Sequence, residues 1–140
     1  MKKGVLIFIC LTIFFCIGCS KDNRPPVNND PYPPVKAITN GDVINPSFGT
    51  SHIERLEEFI ENVKNKSTDK IRIVEYSIEG DAILTDLEYD GKKINYTIDT
   101  TRDRFGARTV EKKTFDSIYK EGFKYHLKNS SEDIVIFWVD

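Results

Sequence analysis

Residues 70–99 read KIRIVEYSIEGDAILTDLEYDGKKINYTID, three short segments of alternating apolar and polar residues separated by two turn signals. The turn signals are Gly80-Asp81 and Asp90-Gly91, and Asp-Gly is among the strongest indicators of a two-residue β-hairpin turn. Alternation with a period of two is typical of strands that are buried on one face. The stretch therefore predicts a three-stranded antiparallel meander.

The two turns also predict how these strands pair. If each turn has two residues, the second turn pairs Leu87 with Ile94, and the first pairs Val74 with Leu87. A slip of one residue would move every side chain of a strand to the other face. Both turns select the same apolar face for the middle strand, which supports the pairing. Ile71 and Ile73 are then predicted to lie on the opposite face.

Two helices are predicted around the meander. Residues Ser51 to Lys64 begin with a capping box, Ser51 followed by Glu54, which satisfies two backbone donors at the start of a helix. Its apolar residues recur at helical spacing on one stripe: Ile53, Leu56, Phe59, Ile60 and Val63. A shorter helix is predicted from Thr114 to Glu121, ended by Gly122.

The C-terminal part predicts two further strands. Residues 123–128 alternate apolar and basic or polar side chains, whereas residues 134–139 are apolar at every position. A strand that is apolar on both faces belongs at the centre of a sheet rather than at its edge. The predicted fold class is α+β, with a mainly antiparallel sheet of about five strands and two helices packed on one face.

The N-terminus has the pattern of a bacterial lipoprotein signal peptide over residues 1–18. Two lysines precede an apolar run, small Gly18 ends it, and Cys19 follows. In such signals the cysteine thiol receives diacylglycerol and the chain is cleaved before it. The alternatives are a plain secretory signal and an uncleaved membrane anchor, although fifteen helical residues span only about 22 Å of a ~30 Å hydrocarbon core. We expect the protein to be held on the outer face of the cell membrane by lipid on Cys19.

Residues 19–37 are predicted to be a disordered tether after the lipidated cysteine. They hold five of the six prolines of the chain and have no apolar periodicity. Such a segment does not bury enough apolar surface to offset the entropy lost on ordering. The remaining residues, 38–140, are predicted to form a single domain.

Composition excludes several classes of function. All three cysteines (Cys10, Cys16 and Cys19) lie in or just after the signal, so the mature domain has no disulfide, no thiol nucleophile and no cysteine-ligated metal. Removal of Lys2 and Lys3 with the signal changes the net charge from −2 to −4, which argues against nucleic-acid binding. We expect a monomer without cofactor or metal, whose partners are membrane lipid and either an envelope protein or a small anionic ligand.

The loop from Thr100 to Arg108 is the candidate binding site. It carries three arginines and one aromatic residue: Arg102, Arg104, Phe105 and Arg108. Guanidinium groups bind carboxylates or phosphates in two-pronged fashion, and an aromatic ring can stack on a ligand. The alternative is structural: Phe105 fills the edge of the core, and the arginines pair with nearby acids such as Asp99 and Asp103.

A small hydrolase or metal-dependent enzyme is the competing function. The hairpins carry five carboxylates (Glu79, Asp81, Asp86, Glu88 and Asp90), and His52 and His126 are the two histidines. Side chains two apart on a strand are roughly 6–7 Å apart, too far to converge on one ion without further folding. The strand pattern favours a solvated face, with Asp90 serving its own turn. This enzyme would need Asp81, Asp86 and a histidine to meet in one pocket.

Several fragments of the chain resemble a family of small lipoproteins from Gram-positive bacilli, classified as domain of unknown function 4362. The fragments are residues 40–43 (NGDV), 56–59 (LEEF), 70–74 (KIRIV), 79–81 (EGD), 87–91 (LEYDG) and 102–106 (RDRFG). The resemblance implies a lipid-anchored envelope protein. It implies no activity, substrate or catalytic residue.

Overall fold

The computed structural model describes residues 24–45, 49 and 52–139. The predicted signal peptide, Cys19 and the capping residue Ser51 lie outside these residues.

The described chain contains two helices and eight strands. In order they are α1 (Pro34–Asn40), β1 (Val43–Ile44), α2 (Ile53–Lys64), β2 (Asp69–Tyr76), β3 (Ala82–Tyr89), β4 (Ile94–Asp99), β5 (Val110–Phe115), β6 (Ser117–Glu121), β7 (Lys124–Lys128) and β8 (Asp133–Trp138). Strands β1 to β5 form one sheet in sequence order, in which only the β1–β2 pair is parallel. Strands β6 to β8 form a second, antiparallel sheet. The α+β class and a mainly antiparallel five-stranded sheet are confirmed, but the two C-terminal strands predicted to complete that sheet lie in the second sheet as β7 and β8.

The five-stranded sheet is covered on both faces, because its side chains alternate between two apolar clusters. Ile73 of β2 packs in the larger cluster with Phe59 of α2 and Tyr125 of β7. Its neighbour Val74 packs in a smaller cluster with Ala37 of α1. The two helices of the structure therefore lie on opposite faces of the sheet. The two helices that the sequence predicted on one face were residues 51–64 and 114–121, and α1 was not among them.

The predicted helix from Thr114 to Glu121 is wrong. These residues end β5 and form β6, and the chain passes from one sheet to the other at Asp116. Phe115 and Ile118 have helical spacing, yet each is buried from a different strand. Aromatic and β-branched residues also fit the surface of a sheet, and burial of Phe115 and Ile118 in the larger apolar cluster decides the local conformation.

The turn between β3 and β4 confirms the predicted face but not the predicted pairing. Asp90 lies opposite Lys93, so the two turn residues are Gly91 and Lys92, and Leu87 pairs with Tyr96 instead of Ile94. Gly91 has a φ of 93°, which a glycine adopts without strain. The register differs by two residues, so the same side chains still face the core. Asp90 serves this turn, as predicted: its carboxylate accepts the backbone N–H groups of both lysines in the turn.

The turn between β2 and β3 has a different length from the one predicted, and this exchanges the two faces of β2. Ser77 donates its backbone N–H to Asp81, which leaves three loop residues, and Gly80 has a φ of 84°. This matches a three-residue hairpin loop with a left-handed glycine. The register is shifted by three, so Ile71 pairs with Leu87 and lies in the larger cluster. The prediction that Ile71 and Ile73 lie on the opposite face is wrong.

Strand β8 lies at the edge of its sheet, although its sequence predicted a central position. A register shift opposite Tyr125 and His126 places both Ile134 and Phe137, three residues apart, toward the core. A bulge of this kind breaks the alternation of a strand. The continuous apolar run therefore reflects a bulged edge strand and not a strand buried on both faces.

The first predicted helix is confirmed as α2, with Leu56, Phe59 and Ile60 buried. It begins at Ile53, after His52 in a left-handed conformation. The His52 ring lies on the backbone of Asp42, with 3.0 Å between its Nδ1 and the carbonyl oxygen.

The proline-rich segment is structured over part of the range predicted to be a tether. Pro34 starts α1, a position that suits proline because its missing N–H has no helical partner there. Tyr32 and Ala37 are buried, and the N–H of Asn28 donates to the carbonyl of Thr101 at 3.0 Å. The disordered tether predicted over 19–37 is thus wrong for residues 28–37, which pack on the domain.

Candidate binding cleft

A cleft of about 350 Å³ opens where three segments of the chain meet at one end of the five-stranded sheet. The segments are the folded part of the proline-rich stretch (residues 27–33), the β2–β3 turn and the start of β3 (residues 80–82), and the loop joining β4 to β5. We call this loop, residues 100–109, the arginine loop. The candidate loop of the sequence analysis therefore forms one wall of this cleft.

Arg102 ties the arginine loop to the proline-rich segment. Its Nη1 donates to Asp99 at 3.1 Å, and its Nε donates to the backbone carbonyl of Asp30 at 3.2 Å. Its guanidinium also lies 5.9 Å from the centre of the Tyr32 ring. The side chain is only 12% exposed. Arg102 thus acts mainly as a structural clamp in the wall of the cleft.

The pairing of Arg102 keeps Asp99 ionised. Burial raises the pKa of Asp99, but the hydrogen bonds donated by Thr101 and the charge of Arg102 outweigh it and hold that pKa below its usual value. The pairing with Asp99 is the structural alternative considered above, and for Arg102 it is confirmed.

Arg104 closes the cleft against the β2–β3 turn. Its backbone N–H and its Nε both donate to the carboxylate of Asp81 at 3.1 Å, and its Nη2 lies 2.9 Å from Asp81 Oδ1. The hydrogen bonds and charge of Arg104 lower the pKa of Asp81. Unlike Arg102, the Arg104 side chain is 58% exposed. The structural alternative expected Arg104 to pair with a nearby acid such as Asp103. In the structure its partner is Asp81.

The other two candidate residues do not line the cleft. Arg108 is buried, with a φ of 52°. Phe105 is 72% exposed, so the alternative in which it fills the edge of the core is wrong. Of the four candidate residues, Arg104 and Phe105 are accessible to a partner.

Asp103 shapes the tip of the arginine loop. Its carboxylate accepts the backbone N–H groups of Phe105, at 3.0 Å, and Gly106, at 2.8 Å. A Cβ added at Gly106 would overlap this carboxylate. The absence of a side chain at Gly106 therefore allows the loop to fold tightly around Asp103.

Gly106→Ala is expected to displace the Asp103 carboxylate and to lower the free energy of unfolding by about 1–2 kcal/mol, the cost of losing such hydrogen bonds. Chemical denaturation of the full-length protein measures this change. In an Asp103→Ala background the same substitution should cost much less, because no carboxylate remains to be displaced. Equal costs in both backgrounds would contradict the role assigned to Asp103.

Tyr32 is the cleft residue that sequence reasoning missed. Its ring is 8% exposed and lies beside three cations, those of Lys36, Arg72 and Arg102. Its hydroxyl donates to Asp42 at 2.5 Å. The available sequence signal was an aromatic residue isolated in a proline-rich stretch. In a fully solvated tether its ring would stay exposed to water, so its presence favours packing on the domain.

The acidic residues of the hairpins have separate partners. Asp86 accepts two hydrogen bonds from Arg72, at 2.7 and 2.8 Å, and these bonds raise the arginine pKa further. Glu88 lies on the exposed side of β3, and of the hairpin carboxylates only Asp81 lines the cleft. Across residues 24–45, 49 and 52–139, no three acidic, histidine or cysteine side chains are arranged to hold a metal ion.

The two histidines lie on different elements, and neither lines the cleft. His52 contacts the backbone of Asp42, as described above. His126 lies on β7 between the inward-facing Tyr125 and Leu127, stacks on Tyr119 and places Nδ1 3.0 Å from Asp133. The structure therefore does not bring Asp81, Asp86 and a histidine together in this cleft.

Comparison with known proteins adds one finding to this geometry. The family model of a domain of unknown function (DUF4362) matches residues 40–129, which is 90 of the 140 residues. The chain belongs to this family. The match covers β1 to β7 and the arginine loop, whereas the part of the DUF4362 protein that forms the other wall of the cleft, residues 27–33, precedes it. No match was found among curated proteins or among solved structures.

The described part of the DUF4362 protein contains two helices, α1 and α2. Neither α1 nor α2 has the length and apolar character needed to span a bilayer.

Proposed function

We propose that this DUF4362 protein is a lipid-anchored, extracytoplasmic binding module that takes a small anionic ligand in the cleft. The anchor is Cys19, on the grounds of the signal sequence that precedes it. The observation that carries the binding role is the half-exposed guanidinium of Arg104 at the mouth of a preformed cleft. Its volume of about 350 Å³ lies within the range of small-molecule sites.

The charges of the cleft favour binding over proton transfer. Asp81 has a lowered pKa and Arg104 a raised one, because each is hydrogen-bonded to the other. Both groups therefore stay charged at neutral pH, whereas general acid–base catalysis works best with a pKa near the operating pH. Fixed charges of this kind recognise a ligand and do not exchange protons with it.

A carboxylate or phosphate fits this arrangement better than a cation does. The Asp81 and Asp99 side chains are each bonded to an arginine and are only 13% and 28% exposed, so they offer a cation little accessible oxygen, whereas the Arg104 side chain is 58% exposed. Arg104 has guanidinium donors on its exposed side, and the planar group suits the two oxygens of an anion. A protein partner that presents an acidic side chain would use the same group.

The binding role is tested by titrating the full-length protein in detergent with inorganic phosphate and with citrate. Its unfolding temperature is measured at each anion concentration. We expect both anions to raise that temperature. Arg104→Gln removes a charged hydrogen-bond donor and is expected to weaken the binding at least tenfold, since such a bond contributes roughly 1.5–3 kcal/mol.

Lys92→Gln is the matched control, because it removes one exposed positive charge at the β3–β4 turn, the opposite end of β3. It should leave anion binding unchanged. If neither anion binds, or if the two substitutions weaken binding equally, the proposed role of the cleft is wrong.

A further inference from the structure

The start of the described chain is fastened to the tip of the arginine loop. Arg24 donates from Nη1 to the carbonyl of Gly106 at 3.0 Å, and Asn28 donates its N–H to Thr101. Five residue steps separate Arg24 from Cys19, and five steps of extended chain cover at most about 18 Å. Whatever path residues 20–23 take, a lipid on Cys19 would keep this end of the domain close to the bilayer.

The loop tips at the same end of the domain expose two large apolar side chains. Phe105, next to Gly106, is 72% exposed, and Ile78 at the β2–β3 turn is fully exposed. The two loops are held together by the ion pair between Arg104 and Asp81. The β3–β4 turn lies at the other end of β3, about 26 Å away for eight strand residues. Its tip carries Gly91 and Lys92 and no large apolar residue.

We propose that Phe105 and Ile78 insert into the bilayer that carries the lipid on Cys19, so that the domain lies on the membrane with the arginine loop facing it. This proposal rests on the lipid anchor of the proposed function. Lipid is the expected occupant because Arg24, five residues after the lipidated Cys19, is hydrogen-bonded to the tip of the arginine loop. Aromatic and branched apolar side chains at the headgroup boundary remove apolar area from water.

The proposed orientation also places the cleft near the membrane. Residues 27–33 continue from the anchored end along the wall of the cleft, so the cleft lies at the end of the domain that we place on the membrane.

Depth-dependent fluorescence quenching tests this orientation. The lipidated protein that begins at Cys19 and carries Phe105→Trp is reconstituted into vesicles of phosphatidylglycerol and phosphatidylethanolamine with brominated acyl chains. Lys92→Trp is the matched control at the far turn, and the signal of native Trp138 is taken from the unsubstituted protein. We expect bromine to quench the Trp at position 105 at least threefold more than the Trp at position 92.

Equal quenching at the two positions, or none at either, would overturn the proposed orientation. Mass measurement of the same samples shows whether Cys19 carries lipid, and so distinguishes a wrong orientation from a missing lipid anchor. Lipid present on Cys19 without preferential quenching at position 105 refutes only the membrane contact, and the exposed pair is then left to a protein partner. Absence of lipid on Cys19 refutes the anchor and, with it, this inference.

Discussion

Cys19→Ser is expected to abolish lipid attachment and, in protein that begins at residue 19, to move it from the detergent phase to the aqueous phase on phase separation. A buried methylene contributes about 0.8 kcal/mol, so two acyl chains contribute on the order of 20 kcal/mol to membrane binding. Two exposed apolar side chains contribute far less than that. The substitution should therefore release nearly all of the protein, with loss of incorporated labelled fatty acid as the direct measurement.

Cys16→Ser is the matched control for this experiment. Cys16 follows bulky Phe15, whereas Cys19 follows small Gly18, and only the second arrangement suits cleavage before the cysteine. The control should remain lipidated and membrane-bound. Native protein that keeps residues 1–18 and carries no lipid would identify an uncleaved membrane anchor. Native protein found wholly in the medium would identify a secreted protein without lipid.

Tyr32→Ala is expected to lower the free energy of unfolding by about 3 kcal/mol, the lower end of the range for removing a buried aromatic ring. The ring packs in the smaller cluster with Ala37 and Val74, and it lies beside the guanidinium groups of Arg72 and Arg102. Its loss should release the proline-rich segment from the sheet. Chemical denaturation of the full-length protein measures the stability, and hydrogen exchange at residues 28–40 measures the release.

Tyr32→Phe is the control because it keeps the ring and removes only the hydroxyl. That hydroxyl donates to Asp42 and accepts from Asn40, so the expected cost is about 1 kcal/mol. If the alanine variant is as stable as the native protein and its segment exchanges no faster, the segment is a tether after all. The cleft would then lack one of its walls, and the proposed ligand site would fail with it.

The two hairpins illustrate how far the sequence predicts the fold. A glycine with positive φ is compatible with several turn lengths, so Gly80 and Gly91 mark the turns without setting the number of loop residues. At Gly91 the observed strand register differs from the predicted one by two residues, which preserves the face of each strand. At Gly80 it differs by three, which exchanges the faces of β2. The choice depends on which side chains the rest of the chain covers, and α2 and the second sheet cover Ile71 and Ile73.

For the candidate site too, the sequence predicted some residues and the tertiary structure decided their partners. The composition of the arginine loop identified Arg104 and Phe105 as candidates. Their surroundings came from elsewhere in the chain: Asp81 is 23 residues from Arg104, and Asp30 is 72 residues from Arg102. Pairings over such separations have no local signal, because they depend on which loops the sheet brings to one end. The role of Tyr32 was missed for the same reason.

The amino-acid order alone was sufficient for the α+β class, the position of α2 and the three strands of the meander, because periodicity and turn residues act over a few neighbouring positions. Tertiary structure decided that residues 114–121 are strands and that the helices lie on opposite faces. It also decided that the proline-rich segment folds back to form a cleft. These features depend on contacts between distant segments, and burial of apolar surface and pairing of charges there outweigh local preference.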